Sequence, residues 1–529
     1  MVWNYGDLFD SCAAALPSAS PALVHGDRIV SWGELSARSN NLAANFLARG
    51  ANTGDKIAIY MRNCPEYLEL LIACFKARLV PVNVNYRYQD EELHYILENS
   101  DAVAVIYDIE FESRIDALKP RFSKLRWLAM GPSYEQIAST GAGEALGIER
   151  SGDDLLFIYT GGTTGMPKAV MWRSEDIWLA LSAGAAAPCN GGVPPQSPQE
   201  HEDNLRLYQG GFSQLVACPL MHGTGLLTSM SALVGGGCLL TLTREGLDVE
   251  ELWSVVEARA VTSVVIVGDA FAKPMLAALD RKPGRWDISS LKLMVSSGVM
   301  WSPSVKEGLL AHNSAMLLLD TFGSSEAVGF GSSMTTADEK TEVAKFVVGP
   351  DCKVFDEAFD EVIPGSGVRG FIARPGPIPL GYYKDPEKTA ATFPTIDGVR
   401  YSIPGDWCTV EVDGTLTLLG RGSACINSAG EKIFPEEVEE VLKTHDSVED
   451  ALVFGVEDEK WGQAVTAVVS LVSHQSLDVT KLLDHVRGSL ARYKSPKAIY
   501  VVDTMFRAPN GKADYKAAKA YIQMQQQSQ

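Results

Sequence analysis

Basic residues are in short supply in this sequence: 46 Lys and Arg stand against 66 Asp and Glu, a net charge of −20 over 529 residues. That balance excludes nucleic acid or an anionic membrane surface as the main partner, because a polyanion is drawn in by a cationic field. Any polyanionic ligand must be held locally. The nine cysteines, from Cys12 to Cys425, include no CxxC pair. Neither a zinc-ligand pattern nor a disulfide framework is present, and the thiols read as core or scattered surface residues. No stretch approaches 18 uninterrupted apolar residues, which excludes a membrane-spanning helix. The first basic residue is Arg28, so the opening segment lacks the cationic start and apolar run of a secretory signal, and a cytoplasmic location is expected.

What is present is ordinary globular composition, with 46% hydrophobic and 21% charged residues. At roughly 100 to 200 residues per domain, the length requires more than one unit. Over the first 120 residues helical and strand signals alternate. WGELSARSNNLAANFLARG, Trp32 to Gly50, has apolar residues at helical spacing and closes on glycine. KIAIYM, LVPVNVNY and AVAVIYD follow as short apolar runs separated by helical segments, the pattern of an α/β domain with a largely parallel sheet. VTSVVIVGDAF, LKLMVSSG and AMLLLDTFG continue it as strand-to-loop transitions. Between them, residues 185–212 are rich in Pro, Gly and polar residues and lack periodicity, so a long surface loop or disordered insertion is expected, with His201, Glu202 and Asp203 solvated in it.

A boundary is expected at Gly420 and Arg421, giving residues 1–420 and 421–529. Just before it, Asp413 and Gly414 separate two alternating runs, a hairpin signature. After it, FPEEVEEVLKTH opens a helix on Pro435 with acids in its first turn. Strand, strand, helix, strand and helix signals complete a small α+β lobe. Residues 421–529 hold 13 Lys and Arg against 15 Asp and Glu, a net of −2, which leaves −18 on the first 420. Late in the lobe Arg492, Lys494, Lys497, Arg507, Lys512, Lys516 and Lys519 gather. They form either a solvated helix face or a cationic surface for a phosphorylated ligand.

The segment with the most chemistry is LLFIYTGGTTGMPKAV, Leu155 to Val170. Gly161, Gly162 and Gly165 let the backbone approach an anion, the hydroxyls of Thr160, Thr163 and Thr164 donate, and Lys168 adds charge. This is phosphate-binding chemistry. It is not a Walker A loop, since Gly161 and Gly165 enclose three residues instead of four and Pro167 precedes Lys168.

YTGGTTGMPKAV resembles the signature of the adenylate-forming superfamily, which includes acyl-CoA synthetases, aryl-CoA ligases, luciferases and peptide-synthetase adenylation domains. Ala169 stands where that family usually has glycine. Its other motifs follow in order along the whole chain. TFGSSE, within Asp320 to Glu326, resembles the family's adenine and metal motif. The resemblance implies ATP contacts from Asp320, Thr321, Phe322, Gly323 and Ser324, with Phe322 packed on the adenine and Glu326 holding magnesium on the ATP phosphates. A carboxylate beside a triphosphate needs such an oxygen-seeking cation between them; read alone, Glu326 could equally cap a helix. Asp406 in GDW and Arg421 in LGRG match the family's ribose contacts. Lys512 in APNGKADY matches the lysine that bridges the substrate carboxylate and ATP.

The resemblance implies an α/β fold with a large N-terminal domain and a mobile C-terminal lobe. It also implies a two-step reaction in which a carboxylic acid is adenylated from ATP with magnesium and then passed to coenzyme A. Thr164, Glu326 and Lys512 would carry the first step, with Lys512 leaving the site as the lobe turns about Ser423. The family more often has Asp or Lys at that hinge position. Ser428, Ala429 and Gly430, in INSAGEKIFPEEVE, would contact coenzyme A, and Asn427 replaces the family's usual lysine there. His222 and Gly223, in PLMHGTG, and Gly298, in SSGVM, would line the acyl pocket; His222 as a packed core histidine remains the alternative reading. GYYKDPEKTAATF and GVRYSIPGD look especially like actinobacterial fatty-acid and steroid side-chain ligases, which favours a medium, long or bulky aliphatic acid. Transfer to a carrier protein, or nucleotide binding without catalysis, would be the alternatives. Oligomeric state is left open, with a homodimer as one candidate.

Overall fold

The computed structural model describes residues 3–527 apart from 89, 161–165, 299–300, 339–344, 422–425, 429–430, 459–461, 474, 491 and 509–510. These residues group into two compact units, Met1–Val343 with Arg374–Pro404, and Ala344–Ala373 with Gly405–Gln529. The strands of 406–421 fall in the second unit, whereas the sequence reading drew its line at Gly420 and Arg421.

The first unit contains two large sheets. In one, Leu317–Ser324, Leu293–Ser297, Ser263–Ile266, Ser213–Val216, Cys238–Thr241 and Pro21–His25 run parallel, edged by antiparallel Ala327–Thr335 and Arg28–Ser31. Strands such as SVVI at Ser263–Ile266 are apolar on both faces because both faces are covered. The second sheet runs Gly381–Tyr382, Lys168–Arg173, Leu155–Thr160, Val80–Asn83, Lys56–Tyr60, Ala102–Tyr107 and Arg126–Ala129. The helix over Trp32–Ala48 starts where Ser31 accepts the N–H of Glu34, and it buries Leu35, Ser39, Leu42, Ala43 and Phe46 on one face. That face also carries Arg38, whose guanidinium reaches the fully buried Glu69 at 2.8 and 3.0 Å.

Residues 185–212 are more ordered than the sequence reading expected. The helix Ser174–Asn190 continues through Pro188 and ends at left-handed Gly191, φ +60°. A second helix spans Pro198–Tyr208. Its start is a reciprocal cap: Ser197 Oγ accepts the Glu200 N–H at 3.1 Å, and Glu200 Oε2 accepts the Gln196 N–H at 2.7 Å. His201 and Leu205, one turn apart, are buried, and the ring of His201 meets Trp178 edge-on at 5.3 Å. Burial lowers the His201 pKa to about 4. Asp203 does face solvent, bonded to Gln199, and Glu202 is half-buried and paired with Arg206. The SPQE cap was hidden by the dense turn-forming residues before it.

In the second unit, Asp406–Val410 and Leu416–Arg421 form the hairpin expected from Asp413 and Gly414, with Gly414 at φ +82°. A separate sheet orders Glu431–Ile433, Ile426–Ser428, Gly462–Leu471 and Val448–Asp458, with Ala498–Val501 parallel to Gly462–Leu471. Alternate residues of Val448–Asp458 serve two cores. Ala451 and Val453 pack with Val438, Leu442, Leu482 and Val486, while Leu452 and Phe454 pack with Ala518 and Ile522. Helices Pro435–Lys443 and Val479–Ser489 therefore cover one face, and Tyr515–Gln527 covers the other.

Candidate active site

The glycine-rich loop joins two antiparallel strands whose last paired residues are Thr160 and Lys168. Gly161, Gly162, Thr163, Thr164 and Gly165 lie outside the described residues. The strand before the loop is fixed by buried Asn83, which accepts the Tyr159 N–H at 2.6 Å and donates to the carbonyls of Tyr159 and Met221. One amide thus ties the strand before the glycine-rich loop to the residue preceding His222. Lys168 pairs with Asp385, the residue that caps the helix Pro386–Thr392. That lysine, with the Lys388 N–H, holds the Asp385 carboxyl below its ordinary pKa.

Glu326 sits in the two-residue turn between Leu317–Ser324 and Ala327–Thr335, not at a helix start. Two strands and the bridge residue Ser402 converge to hold that turn. Trp172 Nε1 donates to the Ser325 carbonyl at 2.9 Å, Ser402 Oγ donates to the Glu326 carbonyl at 2.7 Å, and Tyr382 O–H donates to Glu326 Oε1 at 2.8 Å. The side chain is only 7% exposed. Among the described residues, Tyr382 is the single donor on this carboxylate, and no group of three or more His, Cys, Asp or Glu is placed to hold a metal. A lone carboxylate fits magnesium brought in on a triphosphate, since that ion keeps waters and takes one or two protein carboxylates.

The residues expected to line an acyl pocket come to the same turn. His222 is half-buried and precedes the helix Gly223–Val234 in extended conformation. A Cβ on Gly223 would stand 3.6 Å from Ser325 Oγ, and one on Gly298, at φ +87°, would stand 3.8 Å from Thr224 Oγ1. Residues 222–224, Gly298 and the Ser325–Glu326 turn therefore gather at the C-terminal ends of the parallel strands, where open α/β sheets place their ligands. Along Leu317–Ser324, Phe322 is buried against Phe330 at 5.3 Å, the Thr321 hydroxyl donates to Ser296, and Gly323 leaves just 3.0 Å between its Cβ position and the Ala327 carbonyl. Ser324 Oγ accepts the Glu326 N–H at 3.2 Å. Asp320 is occupied by Lys306 at 2.9 Å; burial pushes its carboxyl up to about 6 against the pull of that lysine. Sequence reasoning missed Asn83, Trp172, Lys306, Tyr382 and Asp385, although GYYKDPEKT had stood out as a string.

In the second unit, Asp406 and Arg421 are direct cross-strand partners, and Asp406 is buried. Lys512 is exposed at the base of a short turn in which its carbonyl accepts the Ala508 N–H at 2.8 Å. Arg507 braces that turn, donating to the Gly511 carbonyl at 3.1 Å and gripping Asp450 at 2.5 and 2.7 Å. Burial pushes the Asp450 carboxyl up, but the Arg507 guanidinium prevails and its pKa is lowered. Ser428 is buried in its strand. Ser423, Ala429 and Gly430 lie outside the described residues.

Residues 9–383 match the family model described as AMP-binding enzyme, and 437–512 match AMP-binding enzyme C-terminal domain. A 3-oxocholest-4-en-26-oate–CoA ligase from Rhodococcus rhodochrous is 39% identical, over 98% of this chain and 96% of its own length. A medium-chain acyl-CoA ligase, Mig, from Mycobacterium avium is 37% identical, over 96% of each chain. Among solved structures, ATP-bound MatB from Rhodopseudomonas palustris aligns with a TM-score of 0.81 at 24% identity, covering 98% of this chain and 99% of that one. Among the described residues, no helix is long and apolar enough to cross a membrane. With both family models in chain order and relatives matched from end to end, this chain belongs to the AMP-binding, adenylate-forming enzymes.

Proposed function

We propose that this protein is an AMP-forming acyl-CoA synthetase, using ATP, magnesium and coenzyme A to activate a medium-chain, long-chain or bulky aliphatic acid. The observation that carries the reading is the placement of Glu326: a buried carboxylate, anchored through one oxygen, beside residues 222–224 and Gly298. The relatives named for 3-oxocholest-4-en-26-oate and for medium-chain acyl substrates support the choice of acid.

In this reading Glu326 would hold magnesium, which would neutralise charge on the ATP phosphates. Thr160, Gly161, Gly162, Thr163, Thr164 and Gly165 donate to the phosphates, Lys168 adds a cation, and Phe322 packs on the adenine. Asp320, Thr321, Gly323 and Ser324 form the floor of the nucleotide site, and Asp406 and Arg421 hold the ribose. His222, Gly223 and Gly298 shape the acyl pocket. The acid's carboxylate oxygen attacks the α-phosphorus and pyrophosphate leaves, so catalysis is positioning and charge neutralisation, with Lys512 supplying the cation for this step. The lobe from 421 onward then turns at Ser423, and Ser428, Ala429 and Gly430 receive coenzyme A, whose thiol attacks the acyl carbonyl and releases AMP. A cytoplasmic location and a homodimer complete the proposal.

The test is incubation with ATP, magnesium and a panel of straight-chain and steroid carboxylic acids, with and without coenzyme A. Acyl-CoA and AMP are expected with at least one aliphatic acid. Pyrophosphate release without acyl-CoA would redirect the reading to carrier-protein loading. Absence of AMP with every acid would overturn it.

A further inference from the structure

We propose that Tyr382 is the positioning residue for the magnesium carboxylate: its hydroxyl fixes Glu326 so that the free carboxylate oxygen is presented to the divalent cation. The proposal rests on the ligase reading above and adds a residue to it.

Tyr382 is held in place by the backbone around it. Gly381–Tyr382 pairs antiparallel with Lys168–Arg173, Gly381 opposite Met171 and Tyr382 opposite Val170, on the strand that leaves the glycine-rich loop. The Leu380 N–H donates to the Met171 carbonyl at 2.8 Å and the Tyr383 N–H to the Ala169 carbonyl at 2.9 Å. Gly381 has φ +142°, and a Cβ there would fall 2.3 Å from Thr389 Cγ2, so glycine alone lets this strand lie against the helix Pro386–Thr392. Thr389 Oγ1 accepts the Tyr382 N–H at 2.9 Å and donates to the Asp385 carbonyl at 2.7 Å. Asp385 then takes both the Lys388 N–H and the Lys168 ammonium. The segment is clamped from the loop strand, from its own helix and from Lys168.

Within that clamp the side chains alternate. Tyr383 turns the other way, its hydroxyl donating to Asp101 at 2.7 Å, while Tyr382 is buried against Phe393 with its ring centroid 5.9 Å away and its hydroxyl on Glu326. A tyrosine suits this role better than a cation would. It satisfies one buried carboxylate oxygen without cancelling the negative charge that must attract the metal. It also restricts rotation of the carboxylate, whereas the bonds from Ser402 to the Glu326 carbonyl and from the Glu326 N–H to Ser324 fix only the backbone.

The experiment compares wild type, Tyr382→Phe, Tyr383→Phe and Glu326→Gln as full-length protein. Mn²⁺ binding is titrated by electron paramagnetic resonance in the presence of a non-hydrolysable ATP analogue, and the magnesium dependence of pyrophosphate release is measured alongside. Tyr382→Phe keeps the ring and its packing, so the fold is retained. It should weaken Mn²⁺ binding about tenfold, the size of one charge-assisted hydrogen bond, and raise the magnesium requirement of adenylation by a similar factor. The KM for the acid and thioester formation from supplied acyl adenylate should stay as in wild type. Tyr383→Phe, which removes an equivalent hydroxyl from the same segment, should leave metal binding unchanged. In a Glu326→Gln background the Tyr382→Phe effect should vanish. Wild-type Mn²⁺ affinity in Tyr382→Phe, or equal loss in Tyr382→Phe and Tyr383→Phe, overturns the proposal while leaving the ligase reading intact. Inactivity of the wild type with every acid overturns the ligase reading instead.

Discussion

Glu439 gives the sharpest physical test of the second unit. It lies on the inner face of Pro435–Lys443, 5% exposed, with Oε1 accepting the Val453 N–H at 2.7 Å and the Tyr515 O–H at 2.9 Å. Burial, reinforced by Glu436, pushes its carboxyl up to about 8, against the opposing pull of the Val453 N–H, Lys443 and Tyr515. Arg507 and Asp450, gripping each other nearby, complete the charged surroundings. A glutamate in the unfolded chain titrates near 4.3, so between those values the folded protein keeps a proton that the unfolded chain releases. The stabilising contribution is therefore whole at low pH and is lost as pH rises towards 8. One group costs at most about 1.4 kcal/mol per pH unit, a ceiling of about 4 kcal/mol from pH 5 to pH 8; relaxation and water penetration around the buried carboxylate bring it to about 2 kcal/mol. Glu439→Gln keeps an acceptor for both donors and cannot ionise. Urea unfolding of the full chain at pH 5 and pH 8 should find the variant close to wild type at pH 5 and more stable by about 2 kcal/mol at pH 8. Parallel pH profiles for the two proteins would refute the reasoning.

Three further outcomes are expected. Lys512→Ala should abolish adenylation yet retain thioester formation from a supplied acyl adenylate; equal loss of both halves would contradict the two-step reading of the lobe. Arg38→Met strips the bidentate partner from fully buried Glu69 and should cost about 3 to 5 kcal/mol in urea unfolding, much of it recovered when Glu69→Gln is added. Ser197→Ala removes the cap of Pro198–Tyr208 and should destabilise by about 1 kcal/mol, whereas an insertion without structure would give no change.

Local signals survived translation into structure where one short segment carried the whole instruction. The helix at Trp32–Ala48 needs only its own apolar stripe and the Ser31 cap, and the hairpin at 406–421 needs only Asp413 and Gly414 between alternating strands. That hairpin brought Asp406 opposite Arg421. The motif strings, read as a family signature, pointed to the family to which the chain belongs. Residues 185–212 failed because two processes shared the segment: turn-forming residues ended one helix at Gly191, and a four-residue capping box started another at Ser197.

The sequence by itself determined the α/β alternation, the small α+β lobe, the glycine-rich loop and the family. The tertiary structure alone decided what surrounds the chemistry. Asn83 meets Met221 across 138 positions, Tyr382 meets Glu326 across 56, and Arg38 meets Glu135 across 97. Such pairs carry no periodic mark, since a donor and an acceptor far apart in the chain become partners only when strand order and register set them opposite each other in the same buried space.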